Sequence, residues 1–204
     1  MTSPSEPSRR NLLVGAGVGA AVVAIGAIPA FAGIAHAQST SNLSGDDLNL
    51  TLFHRSIELA FVEIYSMAID KKLFDDAQTK NAVDFRNHHQ EHSVAAGSLA
   101  GIGAMGTNGQ LVNSYAGRIR AASTVDALGA VLFDLESRAA STYLLACGTY
   151  ETPRAASFAS AVLSIESQHA TVLGSATDQP TDVYIPNFES IVGAFTQAEF
   201  PVLT

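Results

Sequence analysis

The sequence predicts an all-α chain built on a four-helix bundle, and three observations predict it. Apolar residues recur at helical spacing in four long stretches, between Leu48 and Gly174. Each stretch follows a capping residue, a break or a proline that marks a helix start. Every one of the four apolar stripes also carries glutamate or histidine, at nearly the same distances in the two halves of the chain.

Composition sets the limits. The chain has 204 residues, 47% of them hydrophobic and 15% charged, with a formal net charge of −8. That length supports one domain with a proper core. The acidic balance, with no basic cluster to neutralise phosphates, argues against nucleic acid as a partner. A single cysteine, Cys147, excludes an intrachain disulfide and a cysteine-rich metal site. With no Lys or Arg beside it to lower its pKa, Cys147 reads as a small core residue.

Residues 1–37 read as an export segment. A polar start carries Arg9 and Arg10, Leu12 to Ala35 carry no charge, and Ala35-His36-Ala37 offers a small-x-small cleavage site. The run Ser8-Arg9-Arg10-Asn11-Leu12-Leu13 resembles a twin-arginine signal, without the lysine that often follows. Such a signal implies export of a folded protein with its metal or cofactor loaded, so the expected location is periplasmic, cell-envelope or secreted. The apolar run reaches the roughly 20 residues that span a bilayer, so an uncleaved segment would anchor the chain to a membrane. Residues 38–47 then form a polar linker, 48–175 the bundle, and 176–204 a C-terminal tail.

Ser44-Gly-Asp46-Asp47 caps a first helix expected over Leu48 to Asp70. Thr51, Glu58, Phe61, Val62, Tyr65 and Ile69 share one stripe, because seven residues make almost two turns. Glu63 lies well round the cylinder. A break at Asp75-Asp76 opens a second helix, Thr79 to Gly101, on which His89 and His92 share a stripe with Ala82, Phe85, Ala96 and Leu99. His88 and Glu91 fall on neighbouring faces.

Gly101 to Ala122 is Gly-rich, with a turn signal at Gly106-Thr-Asn-Gly109. It is long for a bundle connection, where about 2–8 residues are usual, and is expected to cross over along the bundle. Ser123-Thr-Val-Asp126 opens a third bundle helix reaching Tyr150, with Gly129, Leu132, Glu136, Ala139, Ala140 and Tyr143 on its stripe. Thr152-Pro153 stops it and starts the fourth, where Glu166 and His169 share a face with Ala159, Val162, Leu163, Ala170 and Leu173. The tail, with Pro180, Pro186 and Pro201, is expected to be mostly extended, with at most a short helix near Phe188 to Ala198. Its apolar Val183, Tyr184, Ile185 and Phe188 are expected to pack on the bundle or on a second copy.

In register, Glu58 precedes His89-x-x-His92, and Glu136 precedes Glu166-x-x-His169, at offsets of 31 and 34 residues in one half and 30 and 33 in the other. Two hairpins of matched length would set all six side chains at one level of the bundle. Carboxylates supply charge and imidazoles intermediate softness, which suits divalent transition metals. The pattern resembles the ferritin-like superfamily, in particular its rubrerythrin and desiccation-related branch, whose signature is one Glu on each of two helices and Glu-x-x-His on the other two. The resemblance covers Leu48 to Gly174. It implies a metal site of Glu58, His89, His92, Glu136, Glu166 and His169, taking iron, or manganese or zinc, as one or two ions. It further implies oxygen, peroxide or ferrous-ion chemistry, with Tyr65 and Tyr143 as hydrogen-bond donors to the ligand carboxylates. One position departs: His89 stands where the family places a glutamate that commonly bridges two metals. A neutral imidazole does not bridge as a carboxylate does, which leaves a single-metal, mixed or zinc-filled site open.

Two other readings use the same residues. The polar groups can bond to one another in a metal-free bundle that serves as a structural or binding module. His88-His89-Gln90-Glu91-His92 also fits the inverted zinc-peptidase motif, with His88 and His92 on zinc and Glu91 as base. That motif leaves the matched partners on the other three helices without a role. The oligomeric state stays open.

Overall fold

The computed structural model describes residues 43–184 and 191–202. The expected export segment, its arginine pair, its cleavage site and residues 38–42 lie outside the described residues, as do Ile185, Pro186, Phe188 and the side chain of Tyr184. All regular structure among the described residues is helical: α1 (Gly45–Asp70), α2 (Asp76–Ala100), α3 (Gly109–Ala121), α4 (Val125–Thr149), α5 (Pro153–Ala176) and α6 (Thr181–Tyr184). No helix among them is long and apolar enough to cross a membrane.

The helix starts follow the local chemistry. Ser44 accepts a hydrogen bond from the Asp47 N–H at 3.1 Å, and Thr124 does the same for Ala127 at 3.2 Å. Asp75 and Gln78 form a reciprocal capping box ahead of α2. Thr152 caps α5, with Pro153 in the first turn, where a missing N–H costs nothing. At the far end of α2, Gly101 takes a left-handed φ of 73°, and Ile102 N–H bonds back to Gly97 O at 2.9 Å.

Long antiparallel-style hairpins make the bundle, α1 packing along α2 and α4 along α5, with α2 also meeting α5. Asp47 ties the two pairs together: its carboxylate accepts the backbone N–H groups of Glu151 and Thr152, each at 2.9 Å, so the α4–α5 turn is held to the first turn of α1.

The long connection differs from expectation in form. It crosses along α1 as expected, from Asn108 beside Ser56 to Arg120 beside Lys71, but as the 13-residue helix α3, capped by Asn108, whose side chain accepts from Leu111 N–H at 3.1 Å. Leu111, Tyr115, Ala116 and Ile119 form a buried stripe against α1 and α4. That burial outweighs the roughly 1 kcal/mol that each helical glycine costs. The glycines that suggested a loop mostly precede the helix.

The tail differs too. Val183 is exposed, and the packing is carried by Phe195 and Phe200, both buried, on a stretch of turns at 191–202. Arg138 of α4 fastens this stretch: Nε donates to Gly193 O at 2.7 Å, Nη2 reaches both Glu199 oxygens at 2.9 Å, and the guanidinium lies 4.1 Å over the Phe195 ring. Phe195 N–H donates to Thr142 Oγ1 at 2.7 Å.

Candidate metal centre

Four helices deliver one side chain or one pair each to the middle of the bundle. Glu58 comes from α1, His89 and His92 from α2, Glu136 from α4, and Glu166 and His169 from α5. Both pairs sit three residues apart and so face the same way. All six are buried, at 0–2% exposure. His89 lies at the centre: Nδ1 is 2.9 Å from Glu58 Oε2 and Nε2 is 3.1 Å from Glu136 Oε1. His92 Nδ1 stands 2.8 Å from Glu166 Oε1, and His169 Nδ1 stands 3.3 Å from Glu136 Oε2 and 3.5 Å from Glu166 Oε2.

The two tyrosines reach the carboxylates crosswise. Tyr143 of α4 donates to Glu58 Oε1 of α1 at 2.6 Å, and Tyr65 of α1 donates to Glu136 Oε1 of α4 in a short hydrogen bond. Apolar rings close the flanks: Phe61 meets His89 edge-on at 5.0 Å and is backed by Phe195 at 5.7 Å, while Phe85 stacks on His169 at 4.0 Å.

Three further residues adjoin the cluster outside the six-residue ligand pattern. His88, read from the sequence as a solvated or supporting group on a neighbouring face or as a zinc ligand of the peptidase motif, is half-buried and places Nδ1 2.9 Å from His169 Nε2, the two rings nearly parallel. His54, one turn before Glu58, is buried with Nδ1 2.8 Å from the Tyr150 hydroxyl and its ring 4.8 Å from Tyr143. Its spacing of four from Glu58 was the available signal. Tyr150 ends α4, a position that reads as a helix stop. Glu91 and Glu63 are exposed, and neither joins the cluster.

Electrostatics hold the cluster together without an ion. Burial alone would lower the imidazole pKa values, but the carboxylates outweigh it. Glu58 carries His92 up to about 9, Glu166 and Glu136 hold His89 well above its usual range, and Glu136 raises His169. Burial would raise the carboxylates, yet the imidazoles bring Glu58 down to about 2 and Glu136 well below its usual range. Away from the carboxylates burial wins: it lowers His54 to about 3 and, with help from His169, lowers His88 to about 4.

Glu166 pairs with His92 at 2.8 Å and lies 3.5 and 3.6 Å from His169 and His89. Both of its oxygens are buried and accept no hydrogen bond of favourable geometry. The facing imidazoles offset part of the cost of burying this carboxylate, and a divalent cation among the same atoms would offset it as well. Two overlapping sets of ligand atoms converge on it, Glu58, His89, His92, Glu166 and His89, Glu136, Glu166, His169, with the atoms of each set within 4.8 Å of one another. Each set offers two carboxylates and two imidazoles, a donor mixture that fits a divalent iron, manganese or zinc ion.

A family model described as a ferritin-like domain matches residues 35–179. Comparison with curated proteins and with solved structures finds no match for the chain.

Proposed function

Since the chain belongs to the ferritin-like domain family, we propose that it binds a divalent transition metal through Glu58, His89, His92, Glu136, Glu166 and His169 and uses it in oxygen, peroxide or ferrous-ion chemistry. The convergence of two carboxylate–imidazole sets on the buried Glu166 carries this reading, since the ligand atoms of each set lie within 4.8 Å of one another. Iron or manganese bound there would supply open coordination positions and one-electron redox change, and zinc the open positions alone. The chain's own residues do the rest. Tyr65 and Tyr143 fix Glu136 and Glu58, His88 holds His169 from outside, and Phe61 and Phe85 keep water off the imidazoles. Iron is the favoured ion, with manganese and zinc as the other candidates, and the partners are the metal and small oxygen species.

The same proposal includes export. The charge-free run after Arg9 and Arg10 and the Ala35-His36-Ala37 site support delivery outside the cytoplasm by a twin-arginine-like route. Anchoring by an uncleaved segment and self-association are compatible with it.

A second reading has its own observation. Glu58 and Glu136 are each satisfied by a tyrosine and by His89, which suits a metal-free structural or binding module. Anaerobic loading with ferrous ion, followed by oxygen or peroxide addition, separates the two. Turnover that disappears in Glu166→Ala and persists in Glu91→Ala supports the metal reading. No uptake of ferrous ion by the native chain supports the metal-free one.

A further inference from the structure

His89 faces both ligand sets at once, through different nitrogens. Nδ1 lies 2.9 Å from Glu58 Oε2 and 3.6 Å from Glu166 Oε1, on the side of His92, whereas Nε2 lies 3.1 Å from Glu136 Oε1, on the side of His169. A neutral imidazole has one lone pair available for a metal and one N–H. If Nε2 coordinates an ion held by Glu136, Glu166 and His169, the proton is on Nδ1 and is donated to Glu58. If Nδ1 coordinates an ion held by Glu58, Glu166 and His92, the proton is on Nε2 and is donated to Glu136.

In either case the carboxylate left off the metal is already provided for. Glu58 keeps the Tyr143 hydroxyl at 2.6 Å and the His89 N–H. Glu136 keeps the Tyr65 hydroxyl and the His89 N–H, with His169 beside it. Glu166 belongs to both sets, so it serves whichever is filled. Filling both sets completely would remove the last proton from His89 and break its bond to one glutamate, and keeping that proton would leave the second ion three protein ligands with an N–H donor in place of the fourth.

We infer that His89 makes the two ligand sets mutually exclusive, so that the chain holds one divalent ion where a carboxylate at this position would allow two. The inference rests on the metal-binding reading above and deepens it. It assigns to His89 a role in setting stoichiometry that neither glutamate neighbour can take.

The test is an anaerobic titration of the purified metal-free full chain with Mn(II) alone, counting bound ions after desalting, for the native protein, His89→Glu and His89→Gln. Circular dichroism checks that each variant keeps its helices. The expected counts are one for the native chain, one for His89→Gln and two for His89→Glu. The native chain saturated with Mn(II) should also give the six-line magnetic resonance spectrum of an isolated ion, a readout that needs no variant. Two ions in the native chain, or an exchange-coupled pair, overturns the inference while leaving the metal reading intact. One ion in a folded His89→Glu overturns the role of His89. No ion in any of the three removes the metal reading and this inference with it.

Discussion

Tyr143 donates its phenolic hydrogen to Glu58 at 2.6 Å, although the glutamate seven residues before it on its own helix is Glu136. Tyr65 makes the converse bond, from α1 to Glu136 on α4. The glutamate–tyrosine spacing repeated on the two helices is therefore a crossed clamp between them. Each bond joins a neutral donor to a buried charge, a class worth about 1.5–3 kcal/mol. Tyr143→Phe and Tyr65→Phe should each lower the stability of the metal-free protein by about that much, read by urea unfolding. A loss below about 0.5 kcal/mol for both would mean the carboxylates find other donors, such as water.

The protonated imidazoles make metal-free stability depend on pH. His92 is raised from 6.5 to about 9 in the folded chain, and His89 is raised as well. A raised pKa stabilises the fold fully below the unfolded value, and that contribution is lost as pH climbs through the folded value. The melting temperature of the metal-free protein should therefore fall between about pH 6.5 and 9. For His92 alone the loss is on the order of 3 kcal/mol. Metal affinity should move the other way, because the ligand nitrogens must shed protons before they bind. Glu58, lowered to about 2, adds an acid limb: its contribution is present above the unfolded pKa of 4.5 and disappears as pH falls through about 2. A melting temperature flat from pH 6.5 to 9 would remove the imidazolium account of the metal-free core.

His88 holds His169 by its outer nitrogen at 2.9 Å. Partners of this kind set the orientation of a ligand imidazole, and losing one typically weakens metal binding by about 10–100-fold. His88→Ala should keep the helical spectrum and weaken Mn(II) binding within that range in a competition assay. Unchanged affinity would make His88 a bystander on the surface of α2.

Gly97 is where α2 lies against Arg55 of α1. The Arg55 guanidinium donates to Ile102 O at 2.9 Å and Gly103 O at 3.1 Å, and a Cβ at Gly97 would sit 2.6 Å from its Nη1 and 2.7 Å from its Cζ. The arginine is buried and held through both Nη atoms, so it has little room to yield. Gly97→Ala should cost about 1–3 kcal/mol, as overpacking does, despite alanine's better helix propensity. A stabilised Gly97→Ala protein would show that Arg55 swings out freely.

The sequence made the bundle and six candidate ligands readable because both depend on spacing within one helix. Glu58, Glu136, Glu166, His89, His92 and His169 each sit on an apolar stripe, and stripe membership follows from 3.6 residues per turn. The crossed tyrosine bonds were out of reach, because they depend on the axial register between α1 and α4, which no local spacing sets. His54 was passed over although it lies four residues before Glu58: its neighbour in space, Tyr150, is 96 residues away. Helix α3 was hidden by the glycines ahead of it, even though Leu111, Tyr115 and Ile119 recur every four residues. In the tail, Phe195 is buried against Phe61, Tyr115 and Phe200 and fastened by Arg138 and Thr142, partners that a composition-based reading of a proline-bearing segment does not reveal.

The most direct test of a metal centre at Glu166 is an elemental count on the full chain beside a Glu166→Ala, His169→Ala double variant, both loaded anaerobically and analysed for Fe, Mn and Zn per chain. The account predicts close to one ion per native chain and almost none in the double variant, with both proteins helical. A native chain that retains no metal after loading, or a variant that retains as much as the native chain, would contradict it.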